Sequence, residues 1–549
     1  MSGARAATLQ VCPPEVVPQG AIAQGELIGA DGSRSRLYVG EAEGDPRCPS
    51  FVLEVPPDAI KAVRIIASEA RLGERLIFYG EEQEGRVAIR NIDFGEVSAA
   101  TPATPATEPI LPVGSELLSK LEARAFGADE RARLESRAGA LHLECAAGER
   151  VAGVILTAQG RMPLASTRIR VLAAGQGQFE FQVADRDLAA RESAIALGTF
   201  GLERDVPVEA AVAWPARGFE REQWRHFVLL CPQAAGRMRI DSVQLQALPQ
   251  PVPGRAAWMW RSMAWSEQAE ATLAFARRHD LRTLFISVPV IEGKVSNAAV
   301  LRAFVEKAGK QGIAVWSVDG DPQMILPSEH SATVARVAAY ARYNAEVPPR
   351  SRIGGMQFDI EPYLMPGYEL DREGMEGNYL ALLVKLRAAA GNLPLEVVLP
   401  FWGLTPSLAQ KLPALVSGVT VMNYRSDPHE LRTHAAPFLD WGARHGKPVR
   451  IALEAGPIAP ERQWRFRRAT QGELWAVRAP NLHALVLLRS ARANPHGLAY
   501  ALEGTRTLDG KATTFHADVS RLWSLLPALE KDLAAWSSFA GIALHELPD

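Results

Sequence analysis

Asp359, Ile360 and Glu361 set two carboxyl groups two residues apart, directly ahead of Pro362 and Tyr363. In an extended chain successive side chains alternate between two faces. Gln357, Asp359 and Glu361 then share one face, and Met356, Phe358 and Ile360 the other. A carboxyl beside a second carboxyl has its pKa raised, which keeps a proton available near neutral pH for donation to a leaving oxygen. A parallel strand covered on both faces is close to continuously apolar. Three aligned polar groups therefore indicate either an edge strand facing water or a barrel strand whose inner face opens into a catalytic pocket. Pro362 ends the ladder directly after Glu361, which favours the second.

Such a strand needs seven neighbours. From Gly254 onward the sequence alternates short apolar runs with amphipathic stretches, the rhythm of a parallel sheet. Strands are expected at 257–260, 283–288, 313–318, 354–361, 395–400, 419–423, 449–454 and 541–546. Helices are expected at 266–279, 298–311, 331–343, 377–390 and 516–536, with Ser266 and Ser296 as N-caps. That spacing predicts a (β/α)8 barrel over residues 251–549, with a hairpin-containing insertion at about 461–511. In this fold catalytic groups come from strand C-termini. The positions so collected are Trp260, Asp319, Asp359, Glu361, Tyr363, Trp402, Asn423, Tyr424, Glu454 and His545, with Gln357 below them. Carboxylates, phenols, an amide and indoles suit a sugar site, because indole faces stack on sugar C–H surfaces. Asp319 and Asp321 around Gly320 also fit a plain turn. The histidines at 429, 434 and 445 lack metal-ligand spacing, and Gly354-Gly355 precedes a strand rather than a helix. Neither a catalytic metal nor a cofactor is expected.

Asp359-Ile360-Glu361 resembles the end of the D-x-x-D-x-D-x-E signature of glycoside hydrolase family 18, and Met422-Asn423-Tyr424 resembles that family's sixth-strand M-x-Y motif. The resemblance implies Glu361 as general acid, Asp359 as its orienting partner and Tyr424 as a contact to the reacting sugar. The two earlier signature aspartates fall at Gly354 and Gln357, and the eighth strand offers His545 where the family has Trp. A second resemblance is to the large 4/7 superfamily of retaining glycosidases. It implies Glu361 as acid/base and Glu454 as nucleophile, although Ile360 stands where that superfamily has Asn.

Ahead of the barrel the chain reads as β-rich. Residues 1–98 carry six short β runs separated by turn residues, and 99–110 contain a Pro/Thr/Ala tract suited to a semi-rigid linker. Residues 111–250 read as a β-sandwich with one helix-like stretch near 122–137. Its final Ile240-Asp241-Ser242-Val243-Gln244-Leu245 resembles the last strand of jelly-roll carbohydrate-binding modules, and Trp214 and Trp224 are candidate sugar platforms. The 549 residues are 47% hydrophobic and 22% charged with a formal net charge of −2, a balance that gives no electrostatic case for nucleic acid. No apolar run approaches the ~20 residues of a membrane span. Cys12 and Cys48 fall in the first β module, and Cys145 and Cys231 in the second. That partition predicts two intradomain disulfides and a periplasmic or extracellular location, free buried thiols in a cytoplasmic protein being the alternative. Met1 to Pro14 lack the basic and apolar regions of a signal peptide, while Ala4-Arg5-Ala6-Ala7 has the small-residue character of a cleaved junction. The expected function is hydrolysis of a polysaccharide, such as a bacterial exopolysaccharide or envelope glycan. The rivals are a non-catalytic glycan-binding protein and an assembly component docking envelope polysaccharide machinery.

Overall fold

The computed structural model describes residues 6–41, 45–68, 70–83, 86–93, 109–127, 130–163, 165–184, 194–213, 226–479 and 482–547. The linker tract and both Trp214 and Trp224 lie outside these residues.

Eight parallel strands close into a barrel: Arg255–Met259, Leu281–Ser287, Ala314–Asp319, Met356–Phe358, Leu395–Pro400, Gly418–Met422, Val449–Glu454 and Phe539–His545. Each expected strand is present. The helices between them bury Leu, Phe, Val and Ala against the outer faces of the strands, in one continuous apolar cluster. Two further helices, Pro406–Leu415 and Pro428–His445, begin with proline in the first turn, capped by Thr405 and Asp427. Neither Ser266 nor Ser296 is a cap. Those helices start after Gln268 and Asn297, the latter in the left-handed region at φ 53°. Among the described residues, no helix is long and apolar enough to cross a membrane.

The barrel interior is small and mixed. Ala256, Trp258, Phe285, Val318, Val398, Met422, Ala452 and Ala543 form its apolar part. Beside them lies a hydrogen-bonded polar set. The Trp258 indole N–H donates to Gln357 Oε1 at 2.7 Å, and Gln357 Nε2 donates to Thr420 Oγ1 at 3.0 Å and to Glu396 Oε2 at 3.3 Å. The Arg450 guanidinium lies 5.7 Å from the centre of the Phe285 ring.

The stretch 122–137 is not helical. Leu121–Gly127 pairs with Ala152–Ala158, and Ala132–Arg137 pairs with Ala140–Cys145 across a two-residue turn. That turn, Ala138-Gly139, has positive φ at both positions, the conformation a tight hairpin needs. Local helix propensity is overridden here by cross-strand pairing. The nine-stranded sheet around it encloses its own apolar core, with the 18-residue strand Thr167–Ala184 shared between its two halves.

Residues 1–98 do not form a module of their own. Ala7–Cys12, Ile22–Ile28, Arg34–Gly40 and Ser50–Leu53 make a four-stranded sheet. Ile60–Ile65, Arg75–Gln83 and Arg86–Asp93 instead join the four strands of the barrel insertion, Glu461–Ala469, Gly472–Ala479, Leu482–Arg492 and Gly497–Leu508, in one seven-stranded sheet. Ile60–Ile65 pairs with Leu482–Arg492, and Arg75–Gln83 with Glu461–Ala469. Between the two sheets, Leu9, Leu37, Val39 and Leu53 pack with Trp475, Val477 and Val486. The insertion is therefore half of a body whose other half is the chain's start. Cys12–Cys48 and Cys145–Cys231 are disulfide-bonded.

A chain lacking residues 1–98 is expected to aggregate, because insertion strands 461–469 and 482–492 become unpaired edges with bare apolar faces. Residues 1–98 supplied as a separate chain should restore a monodisperse species in size-exclusion chromatography. A monodisperse, protease-resistant barrel without them would contradict the shared-sheet account.

Candidate active site

Strand four is short. Its ladder holds only Met356–Phe358, after which the Asp359 amide donates to the Asp319 carbonyl at 2.9 Å and the chain leaves the sheet. Parallel register sets the facing: Val318 lies opposite Gln357, and Asp319 opposite Phe358. Gln357 points into the barrel, so Asp359, two residues on, points inward at the mouth. Phe358 and Asp319 point outward. Asp319 accordingly pairs with Arg336 on the helix His330–Glu346 and accepts from the Gly320 amide at 3.0 Å. It is a structural residue of the outer layer, not a mouth residue. Gly320 is needed for close approach, since a Cβ there would sit 2.1 Å from the Asp359 carbonyl oxygen. Asp321 caps the short turn Pro322–Ile325 through the Gln323 amide.

Asp359 and Glu361 are held with little to balance their charge. Burial pushes the Asp359 carboxyl up to about 6, partly offset by His545. Its Oδ1 is buried without a hydrogen-bond partner. Burial, and then the neighbouring Asp359, push Glu361 up to about 7, again opposed by His545. The Tyr363 hydroxyl donates to Glu361 Oε2.

Strand eight stands across the barrel from strand four, and its end is fully satisfied. His545 Nδ1 lies 2.7 Å from Glu454 Oε2, and the Trp260 indole N–H donates to His545 Nε2 at 3.0 Å. An indole nitrogen only donates, so Nε2 bears the lone pair and Nδ1 the hydrogen given to Glu454. Burial lowers the His545 pKa, but the Glu454 hydrogen bond and the charges of Glu454, Glu546 and Asp359 raise it by more. The Trp260 N–H opposes that second proton, which would meet it donor to donor. Glu454 is 6% exposed, and its other oxygen accepts from the Gly456 amide at 2.7 Å. The Tyr424 ring stacks on His545 at 6.0 Å. Burial and the carboxylates Glu454, Asp359, Glu361 and Glu546 hold its hydroxyl protonated well above the ordinary phenol range.

Two indoles rim the mouth. Trp260 follows strand one and is 36% exposed; Trp402 follows strand five, is 55% exposed, and meets Tyr363 edge-on at 4.9 Å. Strands one and five of eight are opposite, so the indoles stand on opposite sides of the mouth, Trp402 beside Tyr363 and Trp260 beside His545. Asp359, Glu361, Tyr363, Trp402, Tyr424, Glu454, His545 and Trp260 are thus brought to one mouth. Two further expectations are corrected. Gln357 is fully buried with its amide engaged by Trp258, Thr420 and Glu396, so it builds the barrel floor. Asn423 is fully buried and donates to the Leu431 carbonyl at 2.7 Å, tying strand six to the helix after it. Sequence reasoning missed Tyr379, a buried phenol on the helix Arg372–Ala390 whose unpartnered hydroxyl feels the Asp359 charge. Nothing in its surroundings, Gly-Asn-Tyr-Leu, marks it out.

No family model and no curated protein matches this chain. Among solved structures, Xylanase10C from Cellvibrio japonicus is similar over 61% of this chain and 78% of its own, with 12% identity and a TM-score of 0.28. The CBM22-1–GH10 modules of Clostridium thermocellum xylanase 10B match over 64% and 82%, with 10% identity and a TM-score of 0.26. A family 29 carbohydrate-binding module from Piromyces equi matches over 24% and 89%, with 10% identity and a TM-score of 0.19. With TM-scores below 0.5, none of these likenesses bears on what this chain does.

Raised carboxyl pKa values have a stability cost of definite sign. Between the ordinary Glu value and about 7, native Glu361 keeps a proton that the unfolded chain has released, so stability falls as pH rises through that window. Glu361→Gln should therefore stabilise the protein at about pH 8 by on the order of 3 kcal/mol. The gain should vanish below about pH 4, where both states are protonated. Urea unfolding at the two pH values tests this; an equal effect at both would mean the carboxyl is not buried against its charge.

Proposed function

We propose that the protein hydrolyses glycosidic bonds in a polysaccharide, with Glu361 as general acid and Asp359 as its partner, on the pattern of glycoside hydrolase family 18. The observation that carries this reading is a pair of buried carboxyls two residues apart at the mouth, Asp359 with an unpartnered oxygen and Glu361 with one phenol donor. Burial raises both, and their proximity raises Glu361 further, so near neutral pH the pair retains a proton. A protonated Glu361 donates to the leaving oxygen while Tyr363 steadies Oε2 and the substrate's own acetamido oxygen attacks the anomeric carbon. Water then opens that intermediate and returns a proton to Glu361. The ionised Asp359 faces the positive charge that develops at the sugar. Tyr424 remains a neutral hydroxyl donor beside it. Trp260 and Trp402 offer ring faces for sugar units on either side. A non-catalytic glycan-binding site has no use for a pair of destabilised acids on one strand end.

Glu454 serves this reaction through His545. Both its oxygens already accept hydrogen bonds inside the wall, whereas a nucleophile must present one to the anomeric carbon. The alternative retaining mechanism would need Glu454 to leave those partners.

Release of reducing ends from a panel of bacterial polysaccharides should identify a substrate, with a rate that peaks between about pH 6 and about pH 7. The rate falls at lower pH as Asp359 takes up a proton and at higher pH as Glu361 loses one. Glu361→Gln should cost about 10²–10⁴ in kcat, and Asp359→Asn should be comparably severe. Azide should not restore Glu454→Ala. An azide-trapped product would instead make Glu454 the nucleophile, and undiminished hydrolysis by Glu361→Gln would end both mechanisms.

The disulfides Cys12–Cys48 and Cys145–Cys231 support a periplasmic or extracellular location. Protein from its native compartment, denatured without reductant, should titrate no thiols. Four titrating thiols would place it in a reducing one.

A further inference from the structure

The loop between Glu361 and the helix at Arg372 is a run of short turns bonded to one another. The Leu364 amide donates to Glu361 O at 3.0 Å, Met365 to Pro362 O at 3.0 Å, Tyr368 to Met365 O at 3.0 Å and Leu370 to Gly367 O at 2.8 Å. Such a chain transmits displacement along itself: moving its middle moves Tyr363 and Glu361. Its middle is tied to the far N-terminal segment. The Ile28 amide donates to Pro366 O at 2.8 Å, and Asn378 Nδ2 donates to Ala30 O at 2.6 Å. Arg34 reaches Gln323, in the loop after strand three, at 3.3 Å. Ile28 is buried in the barrel's own apolar cluster, with Met365 and Met375, and not in the core beneath its own sheet. Gly367 stands at φ +100°, and a Cβ there would lie 2.7 Å from Ile28 O. Backbone meets backbone at this point, with no room for a side chain. Around the contact a cavity of about 210 Å³ lies between residues 24–27 and 62–65 on one side and Pro366, Gly367, Glu369 and Leu370 on the other. The Arg64 charge faces Glu369 there, so the backbone tie at the hairpin tip is joined by a charge pairing with the strand Ile60–Ile65.

We infer that the hairpin formed by Ile22–Ile28 and Arg34–Gly40 is a positioning element of the active site, holding the 362–371 loop so that Tyr363 and Glu361 stay packed at the barrel mouth. Ile28 on the hairpin and Asn378 on the helix Arg372–Ala390, which holds the Ala30 carbonyl, are the positioning residues. The hairpin tip is stiff enough for this. Its turn is closed by Gly29 N to Ser33 O at 2.8 Å, Gly32 N to Gly29 O at 2.9 Å and Ser33 N to Asp31 Oδ1 at 2.9 Å. The groups facing Glu361 are Asp359 and Tyr363 from its own segment, Tyr424 from strand six and His545 from strand eight. None belongs to the hairpin. The hairpin therefore acts on Glu361 only by controlling how closely the loop is packed, hence how much water reaches the carboxyl. The inference uses the proposed role of Glu361, but its test needs no substrate.

Trp402 touches Tyr363, which touches Glu361, so Trp402 emission, taken as the difference from Trp402→Phe, reports protonation of Glu361. A transition near pH 7 is expected in the native protein and should be absent from Glu361→Gln. Ile28→Ser and Asn378→Ala should each lower its midpoint by about one pH unit as water enters. Asn378→Gln, which keeps an amide donor, should return most of that change. A midpoint unchanged in folded Ile28→Ser and Asn378→Ala overturns the inference and leaves the hairpin a simple surface contact. So does the lack of any Glu361-dependent transition. If Ile28→Ser fails to fold, Asn378→Ala, the loss of a single hydrogen bond, decides alone. A shifted midpoint in a protein that cleaves no polysaccharide would uphold the positioning role while removing the hydrolytic one.

Discussion

Keeping two carboxyl groups dry on one side of a barrel mouth is the constraint on which the rest of this structure depends. A buried carboxylate is stable only if paired, hydrogen-bonded or protonated. Asp359 has an oxygen with no partner, and Glu361 has one phenol. The nearest groups of potentially opposite sign stand across the barrel on strand eight, so the charge is met at a distance and the pKa values rise instead. Ending the strand-four ladder at Phe358 makes this possible. It frees the next residues from sheet geometry and lets Glu361 turn over the mouth before Pro362.

The opposite wall obeys the contrary rule. Glu454, His545 and Trp260 form a chain in which each polar atom described has a partner, from the Gly456 amide to the indole N–H. A satisfied network in a low-dielectric site is rigid. The mouth thus sets a destabilised, proton-holding wall against a fixed one. Between the rim indoles Trp260 and Trp402 the mouth presents unsatisfied acid on one side and a preorganised surface on the other. This division of labour explains how two glutamates at the ends of barrel strands, alike in sequence, come to have unlike chemistry.

Much of the barrel was legible because buried parallel strands are short apolar runs, and runs such as Leu395–Pro400 and Val449–Glu454 leave little choice. The inward face of strand four was legible for a related reason, since Gln357 and Asp359 interrupt that apolarity with a period of two, whereas Glu361 lies beyond the ladder. Depth and direction were not. Gln357 lies on the right face but one layer too deep, and Asp319 ends its strand on the outer face, a consequence of register with Phe358 that no local pattern reveals. Asn423 sits beside Tyr424 in the same motif, yet alternation sends it outward toward the Leu431 carbonyl. The stretch 122–137 misled because its Ala, Glu and Arg content is helical in isolation, while its pairing partners are set by the sheet.

The shared sheet was illegible for a different reason, and it changes what the domains mean. Gln463 and Tyr79, hydrogen-bonded neighbours in it, are 384 residues apart. Each half alone reads as a few alternating strands, which any small sandwich supplies. Only together do they cover both faces, because the core between the two sheets draws Leu9 and Val39 from one end of the chain and Trp475 and Val486 from the other. The same composite body carries the hairpin that reaches the Glu361 loop at Pro366. It is also rooted beside Glu454 through Thr514, whose hydroxyl donates to Gly456 O at 2.6 Å. One composite element, built from the two ends of the chain, therefore touches the supports of both walls of the mouth.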